Sequence, residues 1–580
     1  MSRFLNAIKN LLLNLLVLFL LSAAANARAE ALTGKQAADV EAMLALSKQS
    51  ELWRSVEWQR INMYHATLGG VVSRVDDESY FLSPQGKRDP QAELEATIRG
   101  AFDYSIPEKR RQPNVCRWIA RYQFLSRSMK VQGFDYAPLP CSGFEAWKAD
   151  IAAKHVTLVF AAVYLNSTAS MYGHSFIRLD GGKAGEYNRL NDTTVSFTVN
   201  SGADIGPMFL LRSLTGGFPG MFNIAPYYVK VREYADLENR DLWEYRTNLT
   251  QDEIDHMLAF IWEQAFTYMD YYFFDDNCAL MLLASFEAAR PGLNLIDHAK
   301  PWIAPLDMIK LAQEQPGLVD HIHYRPSQYN TLVRNFSLAS NAEKQHALGL
   351  LDDEKLLASV RQMPAAEQAR ILDLNLGMLE YLRNQMHSEE EAASIGARQL
   401  KLSGMRSKID AESDYKETEP PAQRPDEGHG SFRAGFAAGQ IGTTSYTQLN
   451  LRGAYHDGLD PQSGFSPGAS SKIGDLYLRL NASRIRFERL DLFDVFAPAV
   501  QTEWVKPQTI KMNVSIRREV LRDDALSPTA LRIQVGAGKS YNLGNAARGY
   551  ILADSVTSLN AMPSLALGPT IGAVWALTVC

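Results

Sequence analysis

The last quarter of this chain alternates, and alternation restricts a fold more than any other pattern in it. In KMNVSIR, Met512, Val514 and Ile516 fall on one side; Lys511, Asn513, Ser515 and Arg517 fall on the other. DLYLRLNA, from Asp475, and RIQVGAG, from Arg532, repeat the pattern, with turns rich in Gly, Asp and Pro between the runs. A period of two belongs to strands. Residues 432–580 are therefore expected to form an antiparallel β region with one apolar and one polar face. Roughly seven or eight strands fit, the minimum for a barrel. The region is either an outer-membrane barrel with a lipid-facing apolar side or a soluble β-sandwich. The final AVWALTVC reads as a strand with no clear ending, so the β region is expected to stop mid-domain.

The opposite end is a targeting signal. Arg3 and Lys9 precede a short apolar stretch over residues 11–21, and Ala25-Asn26-Ala27 and Ala27-Arg28-Ala29 both fit a cleavage site. Residues 1–29 are read as a signal peptide; the apolar stretch is short against the roughly twenty residues a membrane helix needs. An uncleaved anchor is the alternative. The protein is expected to leave the cytoplasm.

Between these ends, 580 residues suggest about three or four domains. Residues 30–147 read as a helical N-terminal domain, since WRSVEWQRINMYH and ELEATIRGAF place apolar residues three and four apart. Residues 148–335 mix strands and helices. Residues 336–402 are helical again, and the polar, proline-bearing stretch 403–431 reads as a flexible linker. The net charge of −6 and the lack of a basic stripe give no reason to expect nucleic acid.

The mixed region carries the chemistry. HVTLVFAAVYL reads as a buried strand, followed by strands at 174–179 and 193–200. LTGGFPGMFNIAPYY reads as a structured loop, with further strands at 228–233 and 241–247. Thr250 and Glu253 form a capping box that opens a helix. A second helix begins at YFFDDNCALMLL, residues 272–283, and ends near Arg290-Pro291-Gly292. Asp275, Asp276 and Asn277 are N-cap types, which puts Cys278 in the first turn. A thiol there feels the positive end of the peptide dipoles, so its pKa is expected below the free value of about 8.5. His174, inside ASMYGHSFIRLD, is the candidate base.

Asn200 is the best-placed residue to orient that imidazole, with Asn166 and Ser167 as alternatives. The Cys278 backbone N–H and the Tyr272 hydroxyl are candidate oxyanion donors, with Asn277 in support. Each has a plainer reading: a strand-start histidine, a turn asparagine, a core aromatic, a cap. In an oxidising compartment Cys116 and Cys141 are expected to pair and leave Cys278 free; Cys580 has no assigned role. His321 and His323 are close in sequence, but no cysteine or acidic cluster with ligand spacing joins them. No metal and no cofactor is expected.

NSTASMYGHSFIRLD, the stretch from GGFPGMFNIAPYY to EYRTNLT, and YYFFDDNCALMLLASFEAARP together resemble the Lnb N-terminal periplasmic domain family. The resemblance covers roughly residues 150–300. It implies a circularly permuted papain-like fold, in which His precedes Cys, as in lecithin retinol acyltransferase-like enzymes. It also implies a Gram-negative-type envelope, periplasm or outer membrane. Lipoprotein intramolecular transacylases in this family move an acyl chain through a cysteine thioester, and His174 and Cys278 match their catalytic pair. This chain has a β region where those enzymes are expected to carry membrane helices, so the resemblance fixes neither donor nor acceptor.

The expected function is therefore a thiol acyltransferase or acyl hydrolase acting on a lipid or lipoprotein ester. A papain-like cell-wall peptidase or amidase is the second reading. A non-enzymatic outer-membrane scaffold or binding module with an inert thiol is the third.

Overall fold

The computed structural model describes residues 34–103, 113–131, 141–163, 173–181, 189–199, 212–299, 302–386, 388–415, 418–441, 443–481, 484–518, 529–544, 547–560 and 563–575. The expected signal peptide, Asn166, Ser167, Asn200 and Cys580 lie outside these residues.

The N-terminal unit is helical, as its periodicity requires, with one small hairpin of β1 (Tyr64–Thr67) and β2 (Gly70–Ser73). Asp89 caps the helix Pro90–Arg99, accepting from Gln91 and Ala92, and proline stands in its first turn. Cys116 and Cys141 are joined by a disulfide with their Cα atoms 5.5 Å apart. Arg121 is fully buried. It pairs with Glu93 and, at 3.3 Å, with Glu263 on the helix Gln251–Gln264. That buried triad ties the N-terminal unit to the next one.

The next unit is built on a seven-stranded antiparallel sheet, ordered β8-β6-β5-β4-β3-β7-β9. Its strands are β3 (Ala153–Ala161), β4 (His174–Gly181), β5 (Thr193–Val199), β6 (Pro219–Pro226), β7 (Leu242–Thr247), β8 (Met269–Asp270) and β9 (Val319–Arg325). Val156, Leu158, Phe160, Ile177 and Leu179 face the helices Gln251–Gln264 and Cys278–Ala289. The alternate residues Val159, Ala161 and Phe176 face Tyr227 and Tyr234 on the other side.

Two expectations need correction here. The glycine- and proline-rich stretch expected as a loop contains strand β6, in register with β5 through Phe197 and Phe222. Gly220 allows this, since a Cβ there would lie 2.4 Å from the Phe197 ring. Residues 228–233, expected as a strand, are helical: Tyr227–Val231 runs into a π-turn over Arg232–Leu237. Tyr227, Lys230 and Tyr234 are buried at spacings of three and four, a helical period that the β-branched and aromatic composition hid.

A helical unit follows, with Gln328–Leu338, Asn341–Asp352, Ala365–Gln385 and Glu389–Arg406. The stretch expected to be a flexible linker begins inside the last helix and is packed at its far end, while its described residues between 407 and 424 are exposed or half-buried and without regular structure. The last helix runs to Arg406, Pro425 is buried, and Asp426 accepts from Tyr245 at 2.6 Å.

The C-terminal region is one eight-stranded sheet, each strand antiparallel to the next: β10 (Arg433–Ile441), β11 (Thr444–His456), β12 (Ser470–Asn481), β13 (Arg484–Ala497), β14 (Thr509–Arg518), β15 (Thr529–Asn542), β16 (Ala547–Leu559) and β17 (Ser564–Trp575). Among the described residues β10 and β17 are its two edges, so the sheet is open, and a closed barrel is not formed. Its two faces differ as the alternation requires. Asp475 and Asp491 are buried on the polar face, where Lys472 pairs with Asp494 at 2.9 Å and Arg489 with Asp491 at 2.7 Å. The apolar face leaves Ile485, Val535, Ile551, Leu567, Ile571 and Trp575 exposed. At one end that same face is covered: Ala454, Ile473, Phe493 and Val495 join the core of the seven-stranded unit. No helix among the described residues is long and apolar enough to cross a membrane.

Candidate active site

Cys278 opens its helix because Asn277 holds the N-terminus in place. Asn277 Oδ1 accepts from the backbone N–H of Ala279 at 2.9 Å and of Leu280 at 3.2 Å. Its Nδ2 donates to Phe273 O at 3.0 Å and Ile303 O at 2.7 Å. All its capacity is spent on the fold, so Asn277 supports the site and is not a free oxyanion donor. Asp275 and Asp276 both pair with Arg74, the first at 3.2 Å.

Cys278 is buried and is the free cysteine among the described residues. Burial pushes its thiol up to about 11, although the N–H groups of Ser175, Ala279 and Cys278 itself pull the other way. This reverses the expectation from the helix terminus. Loss of hydration outweighs the hydrogen bonds and the peptide dipoles, so the resting group is a thiol.

His174 is the first residue of β4. Gly173 before it has φ +85°, and a Cβ there would sit 2.5 Å from the Phe160 ring, so the approach to the histidine admits only glycine without strain. The His174 residue is half-buried, but its Nε2 is fully covered and has no hydrogen-bond partner. The ring packs on Tyr234 with centroids 5.5 Å apart. Burial, then Arg240 and Lys230, pull the imidazole down to about 3, so it rests neutral. Arg240 is held by Ala161 O and Glu238, both at 2.8 Å, and Lys230 by Glu233 at 2.9 Å.

Strand alternation places the two residues in an unexpected relation. His174 lies on the sheet face of Phe176 and Tyr234, and Cys278 packs on the opposite face with Ile177. They come together only at the start of β4, where the sheet ends. There the Ser175 N–H points to the Cys278 sulfur, and sulfur and imidazole border one cavity of about 290 Å³. His174 Nε2 does not hydrogen-bond to the sulfur in this conformation.

Most of the remaining lining is apolar: Phe197, Val199, Phe273, Phe274, Ile303 and Ala454 among others. Tyr272 is 38 % exposed and its ring covers Gly216; it does not line the cavity. Its neighbour Tyr271 does. Its hydroxyl is pushed up by burial and then by its closeness to Cys278. Sequence reasoning named Tyr272, whereas Tyr271 and Tyr234 line the cavity and Arg240 bears on His174, and none of these three was named. No local pattern separates Tyr271 from Tyr272, which follow the two-residue strand β8 side by side.

Residues 143–315 match the Lnb N-terminal periplasmic domain. The segment that carries His174 and Cys278 belongs to that family. Residues 50–128, 322–418 and 422–579 match three domains of unknown function (DUF7843, DUF7842 and DUF7840). No curated protein and no solved structure matches the chain. The Lnb N-terminal periplasmic domain gives this part of the chain a periplasmic, lipoprotein-related setting in the cell envelope.

Proposed function

We propose that the protein is a cell-envelope thiol acyltransferase or acyl hydrolase that forms a thioester on Cys278. The observation that carries this reading is the shared cavity. The buried free thiol and an imidazole nitrogen with no partner border one mostly apolar space in a domain of the Lnb family. Neutral His174 suits the base's role, because it can take a proton. It accepts the thiol proton as sulfur attacks the ester carbonyl carbon. The C–O bond then breaks, and the leaving alcohol takes that proton. The thioester passes its acyl group to an amine, an alcohol or water, whose proton returns through His174 to the thiolate. Closing the pair requires the imidazole to turn from Tyr234 towards sulfur, and catalytic hydrogen bonds commonly tighten only with substrate bound.

An acyl chain fits this lining better than a peptide does, since a peptide brings backbone groups that need partners. Ala454 supports the same choice. It lies at the covered end of the face of the eight-stranded sheet whose exposed residues are apolar, so the cavity is on the side of the sheet suited to lipid. In this reading that surface lies against the outer membrane.

The test is acyl-enzyme trapping on the full-length chain with a long-chain p-nitrophenyl ester, read by mass spectrometry. An acyl adduct on Cys278 that is released by hydroxylamine is expected, with no adduct in Cys278→Ala. Equal turnover by the Cys278→Ala protein sinks the proposal.

A further inference from the structure

A second cluster of ligating side chains lies away from the cysteine. His429 precedes β10, His456 ends β11, and Asp460 stands in the turn that follows. His429 Nε2 is 2.8 Å from His456 Nδ1, and Asp460 Oδ2 is 4.0 Å from each of those nitrogens. The point equidistant from these three atoms lies about 2.1 Å from each, which is the bond length of zinc to imidazole nitrogen and carboxylate oxygen.

The protons agree with this geometry. His429 Nδ1 is 2.8 Å from Gly430 O, and a carbonyl only accepts, so Nδ1 carries the proton and Nε2 presents a lone pair. A bond from the other ring nitrogen to a carbonyl is how ligating histidines are commonly oriented. His456 is fully buried and its Nε2 has no partner. With an ion on Nδ1 the His456 proton moves to that Nε2, and with a hydrogen bond between the rings it stays on Nδ1, so the two arrangements differ in what holds the facing nitrogens. A metal ion takes the lone pairs of both facing nitrogens at once. Phe465 fixes the ring planes, stacking on His456 at 3.8 Å and on His429 at 5.5 Å.

We propose that His429, His456 and Asp460 bind a transition-metal dication, zinc before others. The donor set excludes calcium and magnesium, which need six or more oxygens. Two imidazoles and one carboxylate suit zinc, nickel or copper. Asp460 is already shared: its Oδ2 also accepts from Arg452 and, at 2.9 Å, from the Asp457 N–H, while Arg433 reaches its Oδ1 at 3.1 Å. Arg433 and Arg452 offset Asp457 and Asp460, so the site carries no excess negative charge. Its hold on the ion rests on the imidazoles.

The ion would act as a clamp. Lys310 of the Lnb domain donates to Gly428 O at 2.7 Å and His429 O at 2.6 Å, and Ser431 donates to Asp307 at 2.6 Å. The segment that supplies His429 is thus already fastened to the Lnb domain. The metal ties it to the β11–β12 turn, across the seam between the two sheets.

The experiment uses full-length, chelator-stripped protein in detergent, titrated with zinc alone by calorimetry and with cobalt by visible absorption. One equivalent of zinc per chain is expected, with a ligand-field band from bound cobalt and a higher melting temperature with zinc. His429→Gln and His456→Phe are each expected to weaken binding by more than the roughly 10- to 100-fold that loss of an outer orienting partner costs. Both should leave Cys278 labelling unchanged. Wild-type protein that takes up no zinc overturns the proposal, and so does uptake that is the same in the His429→Gln protein.

Discussion

Cys278 is predicted to react slowly with alkylating reagents at neutral pH and to gain rate steadily up to about pH 11. Its thiol is held near 11 by burial, against an ordinary value of about 8.5–9. At pH 7 that gap lowers the thiolate fraction by about a hundred- to three-hundredfold relative to a free cysteine. A more basic thiolate is also the better nucleophile, and with a Brønsted slope near 0.4–0.5 this restores about tenfold. The net expectation is labelling about ten- to thirtyfold slower than an exposed thiol, before any steric protection. The assay is iodoacetamide labelling of Cys278 from pH 6 to 10.5, read by peptide mass spectrometry in a Cys580→Ser background. The logarithm of the rate should climb by about one per pH unit across most of that range. His174→Gln should leave the profile nearly unchanged, because neutral His174 does not stabilise the resting thiolate. A plateau reached below pH 8.5 and lost in His174→Gln would refute the reasoning. It would mean that the resting site is a thiolate–imidazolium pair and that the charged partners outweigh desolvation.

Three further expectations follow from the same physics. His174 is pulled from 6.5 to about 3, so between those values the unfolded chain binds a proton the folded chain refuses. Stability should fall as pH drops from about 6.5 towards 3, and the difference between wild type and His174→Gln in urea unfolding should show that slope. The Cys116–Cys141 bond joins positions 25 residues apart, so Cys116→Ser with Cys141→Ser should cost about 3.5 kcal/mol by loop-closure entropy. Denaturant unfolding of the N-terminal unit checks it, and an unchanged midpoint would count against that account. Gly173→Ala forces a side chain into the Phe160 ring at positive φ, at about 1–3 kcal/mol. It should displace His174 and cut acyl-enzyme formation more than it lowers the melting temperature.

Much of the architecture was legible because periodicity survives in the sequence. The alternation of KMNVSIR becomes β14, with Thr509 and Ser515 buried on the polar face and Ile510 exposed on the apolar one. The Thr250–Glu253 capping box stands where the pattern put it. Residues 219–226 and 228–233 were misassigned for opposite reasons. Glycine and proline usually punctuate strands, yet Gly220 here makes room for Phe197 between paired strands. Aromatic, β-branched composition usually means strand, yet Tyr227 and Tyr234 are buried at a helical spacing. In both cases tertiary packing overrode local preference.

The thiol's protonation was illegible for a different cause. A helix N-terminus can be read from Asn277 and Cys278, and its dipole favours a thiolate by a modest amount. How much water the sulfur loses depends on what surrounds it, and the cavity it borders is lined from strands β4 and β5, from residues near Ile303, and from Ala454 of the eight-stranded sheet. No local pattern reports that sum. The same holds for the faces of β4. Alternation assigns His174 and Phe176 to one side, but only the sheet shows that the Cys278 helix packs on the other. A resting pair kept neutral, on opposite sides of a sheet edge, suits an enzyme whose ester must enter before the proton can move. In the proposed mechanism the thiol keeps its proton until an ester carbonyl stands against sulfur and the imidazole turns to take that proton during attack. On the proposed mechanism, then, the resting thiol is protonated and the substrate is needed for the proton to move.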